Sequence, residues 1–299
     1  MKIFFTRFAL LSLTISLLVH TSCSRFGNKE NAANKKDTVR IVCVSKQLTE
    51  LIFALGQGDK IVGIDLSSTY PPETKNITTV GYHRMLNAEG IISLKPSAFF
   101  YNGGEDNSVG PDNVIPQLQK IGITVTQFRA AENINDLKLL IQDLGTYFNA
   151  KNKADSLCNK IDADMKVVEE KRVQYSDSPR VMIVHFGRAS NVYFPFGARG
   201  AANFMIQQAG GTNVVDTLTK FRGLSDEVVA TMQPDVIIAT DYGFDHIGGL
   251  DKFKELPGIG LSPAAKNNRI YRFEEHDLIY LGPRTGENIL KLMALIHGK

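Results

Sequence analysis

The sequence of 299 residues has no tryptophan, only three cysteines and a formal net charge of +3. It contains no CxxC or HExxH motif and no cluster of cysteine and histidine, so a structural zinc site is not indicated. The lysines are scattered, and the densest pair, Lys35 and Lys36, lies near the N-terminus. Nucleic-acid binding requires a basic patch or stripe, so we expect no nucleic-acid partner.

Motifs of common enzymes are also missing. The chain has no GxSxG segment, no P-loop and no motif of paired carboxylates. An exported enzyme remains an alternative, because a tyrosine and a histidine facing a cleft can perform acid–base chemistry. We nevertheless expect no catalytic residue and no catalytic cofactor.

The N-terminal segment is typical of an export signal. Two basic residues precede an apolar run at 8–19, which is shorter than the ~20 residues of a membrane-spanning helix. Small residues then precede Cys23, as in bacterial lipoprotein signals. We predict a signal peptide at 1–22, and a lipidated Cys23 that begins a polar, flexible tether at 23–38. The protein is therefore expected in the periplasm, anchored to a membrane by its lipid, with cleavage as an ordinary soluble protein as the alternative.

The other two cysteines lie far apart in different contexts. Cys43 falls in an apolar strand pattern, RIVCV, and Cys158 falls in a charged helical stretch. An exported protein could oxidise them. Their contexts favour two unpaired thiols.

A segment at 84–100 is repeated 138 positions later in the chain. In both copies a short amphipathic stretch precedes a strand-like block, so Glu89 and Glu227 each fall in the first turn of a helix. A capping role would explain either one alone, because the helix dipole favours glutamate there. Two such residues at equivalent places indicate a docking surface. The matched positions are Arg84 with Arg222, Leu86 with Leu224, Glu89 with Glu227, and Pro96 with Pro234.

From Val39 onward, predicted strands alternate with predicted helices. This order builds parallel sheets. We predict an α/β fold of two Rossmann-like lobes, at 39–149 and 177–299, joined by one long α-helix within 150–176. Ligands of such folds bind at the carboxyl ends of the strands, which here means the cleft between the lobes. The predicted strands are 40–44, 60–64, 98–101, 123–128 and 180–185, and the predicted helices are 47–55, 111–120, 134–148, 151–173, 200–211 and 287–297.

Three segments carry a resemblance to a known family: RIVCVSKQLTELIFALGQGDKIVGID, then Thr69-Tyr70-Pro71, and VGYHRMLNAEGIISLKP. They resemble the helical-backbone substrate-binding proteins of ABC importers for cobalamin, ferric siderophores and haem. The resemblance covers nearly the whole mature chain. The stretch Gly-Tyr-x-Arg-x-Leu-x-Ala-Glu-Gly, from Gly81 to Gly90, is similar to the haem-specific branch.

The resemblance implies a site for haem iron. In haem binders of this kind a tyrosine supplies a phenolate to the iron with an arginine beside it, and some members add a histidine from the first strand of the second lobe. The matching positions are Tyr82, Arg84 and His185. The resemblance also implies that Glu89 and Glu227 meet arginines of the permease.

The chemistry of these residues agrees with such a site. Ferric haem accepts a hard anionic oxygen ligand, and both Fe(III) and a nearby arginine favour ionisation of a phenol whose free pKa is about 10. In an extended loop Tyr82 and Arg84 would point to one side and His83 to the other. His185 ends a buried-type run and would face the cleft, although an ordinary packing role is the alternative.

Aromatic and basic residues could surround the rest of a porphyrin. We assign Phe196 to a haem-supporting role, and Arg188 and Arg222 to the propionates. The helix at 200–211 would direct its N-terminus toward the cleft, a favourable place for a carboxylate. Further candidates are Tyr193, Phe194, Phe204 and Arg199, whereas His246 and His276 have no supporting motif.

The sequence therefore predicts a lipid-anchored periplasmic haem-binding component of an ABC-type importer. It would hold ferric haem b as its transported ligand and deliver it to the transmembrane permease subunits. We expect a monomer. Two alternatives keep the fold: a binding protein for a ferric siderophore or cobalamin, and a lipoprotein that stores or relays haem.

Overall fold

Two predominantly parallel β-sheets, one in each lobe, organise the chain. The computed structural model describes residues 39–83, 85–103, 112–187, 191–215 and 223–298. The predicted signal peptide, Cys23 and the tether lie outside these residues, as do Arg84, Arg188 and Arg222. In the described part of the chain, no helix combines the length and the apolar character needed to cross a bilayer.

Twelve strands and twelve α-helices make up the described residues. The strands are β1 Ile41–Val44, β2 Ile61–Ile64, β3 Thr78–Thr79, β4 Gly81–Tyr82, β5 Met85–Leu86, β6 Ala98–Gly103, β7 Thr124–Arg129, β8 Arg180–Gly187, β9 Val192–Phe196, β10 Thr212–Asn213, β11 Val236–Thr240 and β12 Ile270–Phe273. The helices are α1 Lys46–Ala54, α2 Ala88–Ser93, α3 Ile115–Lys120, α4 Ile134–Tyr147, α5 Lys151–Arg172, α6 Gly200–Gln208, α7 Asp226–Met232, α8 Asp241–His246, α9 Leu250–Lys254, α10 Pro263–Lys266, α11 Glu275–Ile279 and α12 Thr285–His297.

The strand order confirms the predicted α/β class. The first sheet runs β3-β2-β1-β6-β7 with every neighbouring pair parallel. The second runs β10-β8-β11-β12, also parallel, and β9 pairs antiparallel with β8. Parallel strands require crossover connections, which the intervening helices provide. Residues that follow the strands therefore collect at the carboxyl edge of each sheet.

The central strands are apolar along their whole length. All four residues of β1, IVCV, are buried, and so are all five of β11. A parallel strand covered by helices on both faces has this pattern instead of alternation. Ser45 follows β1 and begins α1, because its side chain accepts a hydrogen bond from the Leu48 N–H at 3.1 Å. The short step from strand to helix places the start of α1 at the carboxyl edge.

Most predicted boundaries are confirmed within two residues. One helix start is wrong: the helix predicted from Pro111 begins at Ile115, after a turn at 112–114. Pro116 lies in its first turn, where a missing N–H costs nothing and the fixed φ favours a helix. The long helix predicted at 151–173 is α5.

The repeat seen in the sequence extends to the helix caps of the two lobes. Asn87 caps α2 by accepting from the Glu89 and Gly90 N–H groups, and Ser225 caps α7 by accepting from the Val228 N–H. Asn and Ser are both good N-cap residues because a short side-chain oxygen reaches the free amides of the first turn. Glu89 and Glu227 are each the second residue of their helix.

In each lobe, an arginine at the start of the first strand caps the C-terminus of the repeated helix. The Arg40 guanidinium donates to the Leu94 carbonyl at 2.6 Å, and that of Arg180 donates to the Met232 carbonyl at 2.7 Å. Carbonyls at a helix C-terminus lack partners within the helix, and a cation there also complements the dipole. Both lobes therefore tie the repeated helix to the same end of their sheet.

One hydrophobic core runs through both lobes. It includes Leu48 of α1, Ile141 of α4, Val181 of β8 and Ile289 of α12, all fully buried. Because α5 packs between α4 and α12, it links the two sheets through a continuous apolar interior. Val39–Lys299 accordingly forms a single compact unit.

Both described cysteines are free, as predicted, and both are buried. Cys43 is completely buried in β1, and this burial raises the pKa of its thiol to about 12. Burial also raises the pKa of Cys158 in α5.

Buried charged residues join the two lobes beside the core. Glu50 of α1 is 7% exposed and accepts hydrogen bonds from the His276 ring at 2.5 Å and from the Arg284 guanidinium at 2.8 Å. Arg284 also binds Asp277 at 2.7 Å and lies over the Tyr70 ring at 3.9 Å. His276, which has no motif in the sequence, is thus part of the contact between the lobes. We call Glu50, His276 and Arg284 the Glu50 cluster.

The cluster keeps the Glu50 carboxylate ionised. Burial alone would raise the pKa of Glu50, but hydrogen bonds from His276 and Arg284 outweigh it, so the pKa lies below its usual value. A carboxyl group whose pKa is lower in the folded than in the unfolded state stabilises the fold above its unfolded pKa, about 4.3. That stabilisation is lost as the pH falls from there through the folded pKa.

We predict that Glu50→Leu lowers the free energy of unfolding by about 3 kcal/mol at pH 7, because it removes a buried carboxylate to which both His276 and Arg284 are hydrogen-bonded. The loss should shrink as the pH falls below about 4, where the wild-type carboxylate is also being neutralised. Urea unfolding of the mature protein between pH 3 and 7 measures both. Glu170→Leu, at an exposed position of α5, is the matched control, and an equal loss at every pH would contradict the assigned role.

Candidate functional site

Tyr82 lies in a hairpin at the carboxyl edge of the first sheet. It ends β4 and pairs with Met85 of β5 in antiparallel register. Gly81 has a φ of 115°, and a Cβ there would come within 2.7 Å of the Met85 carbonyl, so a glycine is required for the tight approach. The extended loop predicted for this segment is therefore wrong. Because Arg84 lies outside the described residues, its pairing with Tyr82 stays a prediction.

His83 does not point away from Tyr82, contrary to the sequence prediction. The centroids of the two rings are 4.1 Å apart. The His83 Nδ1 atom is 3.8 Å from the carboxylate of Asp65, a buried residue that follows β2. The alternation of side chains applies to extended backbone, and it fails here because β4 ends at Tyr82 and the antiparallel β5 follows at once. The edge of the first sheet thus presents a tyrosine and a histidine side by side.

Hydrogen bonds within its own loop hold the Asp65 carboxylate in place near His83. It accepts hydrogen bonds from the Ser67 N–H at 3.1 Å, from the Ser67 hydroxyl and from the Ser68 hydroxyl at 2.5 Å. Three donors from one short loop satisfy a buried carboxylate that would otherwise be costly. The carboxylate beside His83 is therefore held in a defined position.

His185 lies near the carboxyl end of β8, in the second lobe, as predicted. Its ring is flanked by the rings of Phe194 and Phe196, with centroids 5.4 and 5.2 Å away. Cross-strand partners share a face of the sheet, so the pairing of His185 with Phe194 and of Ile183 with Phe196 places all these side chains on one face. The rings of His185 and Phe196 thus lie together, whereas their roles toward haem stay predictions.

Two polar groups lie close to the Nδ1 atom of the His185 imidazole. Its Nδ1 atom is 3.2 Å from the hydroxyl of Thr240, the last residue of β11. The same atom is 3.9 Å from the carboxylate of Glu275, at the start of α11. The side chain is 16% exposed. Neither Thr240 nor Glu275 was found from the sequence, because the two positions are brought together only by the order of the parallel strands.

Three other predicted pocket residues have different surroundings. Tyr193 pairs with Phe186 on the opposite face of the hairpin, and its hydroxyl donates to the Gly243 carbonyl at 2.6 Å. Phe204 of α6 packs against the common core. Arg199 is an exposed residue preceding α6. Tyr193 and Phe204 therefore belong to the packing of the second lobe.

The N-terminus of α6 lies against the first lobe. A Cβ on Gly200 would be 3.7 Å from the Glu132 carboxylate. A carboxylate at this place is favoured by the dipole of the helix. The Glu132 carboxylate thus lies near the helix start where a ligand carboxylate is expected, and binding of a ligand there stays a prediction.

Glu89 and Glu227 are both exposed and occupy the second position of α2 and α7. Their backbone surroundings match through the caps described above. The predicted equivalence of the two residues in the fold is confirmed, whereas their contact with a partner stays a prediction.

Comparison with known proteins agrees with this architecture. The family model described as periplasmic binding protein matches residues 41–276. A substrate-binding lipoprotein of an ABC transporter, the uncharacterized YvrC of Bacillus subtilis (strain 168), is 28% identical over 272 residues, which cover 90% of this chain and 83% of the relative. A vitamin B12-binding protein of Pectobacterium atrosepticum is 23% identical over 203 residues, covering 67% of this chain and 70% of the relative.

Among solved structures, the chain is similar to the periplasmic haem-binding protein RhuT from Roseiflexus sp. RS-1 in its apo form. The TM-score is 0.79 and the identity 30%, over 87% of this chain and 98% of that one. The family match spans more than three quarters of the chain. The chain belongs to the periplasmic binding protein family.

Proposed function

We propose that the protein is the haem-binding component of an ABC-type importer and acts as a lipid-anchored monomer outside the cytoplasmic membrane. The observation that supports this most is the likeness to RhuT, which combines 30% identity with nearly complete coverage of both chains. Ferric haem is the cargo, and the protein catalyses no reaction on it. The lipid on Cys23 would keep the binding protein close to its permease.

The residues at the two sheet edges fit this cargo. Tyr82 offers a phenol, which as phenolate is a hard ligand for ferric iron, and His185 offers an imidazole from the other lobe. Phe194 and Phe196 flank His185 and supply apolar surface of the kind that a porphyrin face contacts. Arg84, Arg188 and Arg222 would bind the phenolate or the propionates, because guanidinium groups pair well with carboxylates.

A cobalamin carrier is the second candidate, and the match to a vitamin B12-binding protein favours it. That match covers 67% of this chain at 23% identity, less than the likeness to RhuT. A cobalt corrinoid would have no use for a phenolate from Tyr82. Titration of the purified protein with hemin and with cobalamin, followed by absorption, distinguishes the two.

Delivery requires contact with the permease, and Glu89 and Glu227 are suited to it. Both carboxylates are exposed at equivalent helix starts, one in each lobe. These two negative charges, one in each lobe, would pair with cationic residues of the permease. Contacts of this kind steer docking and weaken with ionic strength.

The first test concerns Tyr82. Wild-type protein should bind one hemin with a charge-transfer band from phenolate to ferric iron, and Tyr82→Phe should abolish that band and weaken binding at least about tenfold. Tyr147→Phe, at a half-exposed position of α4, is the control and should keep both. If Tyr82→Phe retains the band and the affinity, Tyr82 is not the ligand.

The second test concerns His185. His185→Ala should still bind hemin through Tyr82, with the iron shifted toward a five-coordinate or water-ligated form and a smaller loss of affinity than in Tyr82→Phe. Electron paramagnetic resonance of the hemin complex reports the change, and His246→Ala serves as the control. An unchanged spectrum would remove His185 from the site and direct attention to His83.

The third test concerns docking. The double variant Glu89→Lys with Glu227→Lys should bind hemin and fold almost normally, because exposed carboxylates at helix starts contribute only about 0.3–1 kcal/mol each. Haem uptake into vesicles that contain the permease should fail.

The matched control for docking is Asp143→Lys with Glu170→Lys, which makes the same change of charge at exposed positions of α4 and α5. Normal uptake by the variant at Glu89 and Glu227 would argue against docking through these residues. It would favour a protein that stores or relays haem.

A further inference from the structure

Glu275 connects a residue of the first lobe to His185 of the second. One carboxylate oxygen, Oε1, is 2.6 Å from the Lys46 Nζ atom at the start of α1. The other, Oε2, is 3.9 Å from the His185 Nδ1 atom. The three side chains are 9%, 14% and 16% exposed. A single carboxylate therefore faces a cation from one lobe and an imidazole from the other in a nearly dry environment.

The position of Glu275 is fixed by the second sheet. Its backbone N–H donates to the Asp241 carboxylate at 2.9 Å. Asp241 directly follows β11, and Glu275 comes shortly after β12, the neighbouring parallel strand. The hydrogen bond to Asp241 thus fixes the backbone of Glu275 at the carboxyl edge of the second sheet.

The Nδ1 atom of His185 is engaged on this side of the ring. The hydroxyl of Thr240, a fully buried residue, lies within hydrogen-bond distance of it, and the Glu275 carboxylate lies just beyond. An iron ion bound by this imidazole would therefore take Nε2. Histidine ligands of metals commonly donate the other ring N–H to an oxygen, which fixes the ring and makes it a stronger donor.

We propose that Glu275 is a positioning residue for the haem iron, acting through His185 and held in place by Lys46. This inference rests on the proposed haem-binding function. The Thr240 hydroxyl oxygen accepts a hydrogen bond from the Nδ1–H group, and the negative charge of Glu275 would stabilise the positive charge that the ring gains when Nε2 binds ferric iron. Lys46 takes Oε1 and so turns Oε2 toward His185.

This arrangement makes the iron ligand of the second lobe depend on the first. If the lobes separated, Lys46 would leave Glu275, and the carboxylate would lose the contact that directs it. The strength of the bond from His185 to iron would then change without any movement of His185 within its own sheet. The contact between Lys46 and Glu275 thus couples ligand binding to the relative position of the two lobes.

The test compares Glu275→Gln with Glu274→Gln in the full mature protein loaded with hemin. Glutamine keeps the shape and removes the charge. Glu274 is the adjacent residue, is 54% exposed and binds Arg272 instead, so it controls for a change of charge at the same helix start. The readouts are hemin affinity, the phenolate band and the electron paramagnetic resonance of the iron.

In Glu275→Gln we expect the phenolate band to remain, the signal of histidine-ligated iron to shift toward five-coordinate or water-ligated iron, and the affinity to fall about tenfold. Lys46→Met should cause the same spectral shift, and Glu274→Gln should resemble wild type. If Glu275→Gln folds poorly, Lys46→Met and Thr240→Val carry the same comparison.

Two results would overturn the inference. One is a spectrum of Glu275→Gln and Lys46→Met that equals that of wild type. The other is a wild-type spectrum that His185→Ala leaves unchanged while the phenolate band persists, which rejects the role of Glu275 but keeps the haem-binding function. Absence of hemin binding by the wild-type protein would reject both.

Discussion

The structure depends on the placement of charged side chains between the lobes, where they are shielded from water and must be paired. Glu50 cannot remain ionised in its buried position without His276 and Arg284, and both of these come from the other lobe. Lys46, four residues earlier on the same helix, has the same relation to Glu275. Each of these contacts requires a defined distance and direction between charged groups, whereas apolar packing in the surrounding core is not directional. The charged pairs therefore specify how the lobes meet, and the core supplies most of the driving force.

The fold could be predicted because its signals are local. Runs such as IVCV in β1 and VIIAT in β11 are apolar along their whole length, and the residues that begin and end the helices lie next to them. The duplicated segment also predicted that Glu89 and Glu227 would occupy equivalent positions, and the caps at Asn87 and Ser225 confirm this. Three local features were misplaced: the start of α3, where Pro116 tolerates either a turn or a first helical turn, the end of α6, which comes at Gln208, and the hairpin at Tyr82.

The site could be predicted only where a ligand type and a strand end coincide, as for His185 beside Phe196. Its supporting residues could not, because His185, Thr240 and Glu275 are separated by 55 and 35 positions and no local pattern links them. The Glu50 cluster joins residues that are 226 and 234 positions apart, and histidine alone carried no signal there. His83 was misjudged for a different reason: the rule of alternating side chains assumes an extended chain, and the hairpin at Tyr82 ends that regularity.

Burial makes the thiol of Cys43 chemically unreactive. Thiolates, not thiols, attack disulfides and bind metals. Because burial raises its pKa to about 12, the Cys43 side chain stays a protonated thiol at neutral pH. Complete burial in β1 adds a steric barrier. Cys43 can therefore fill the centre of the first sheet as a small apolar side chain that resists oxidants and metal ions.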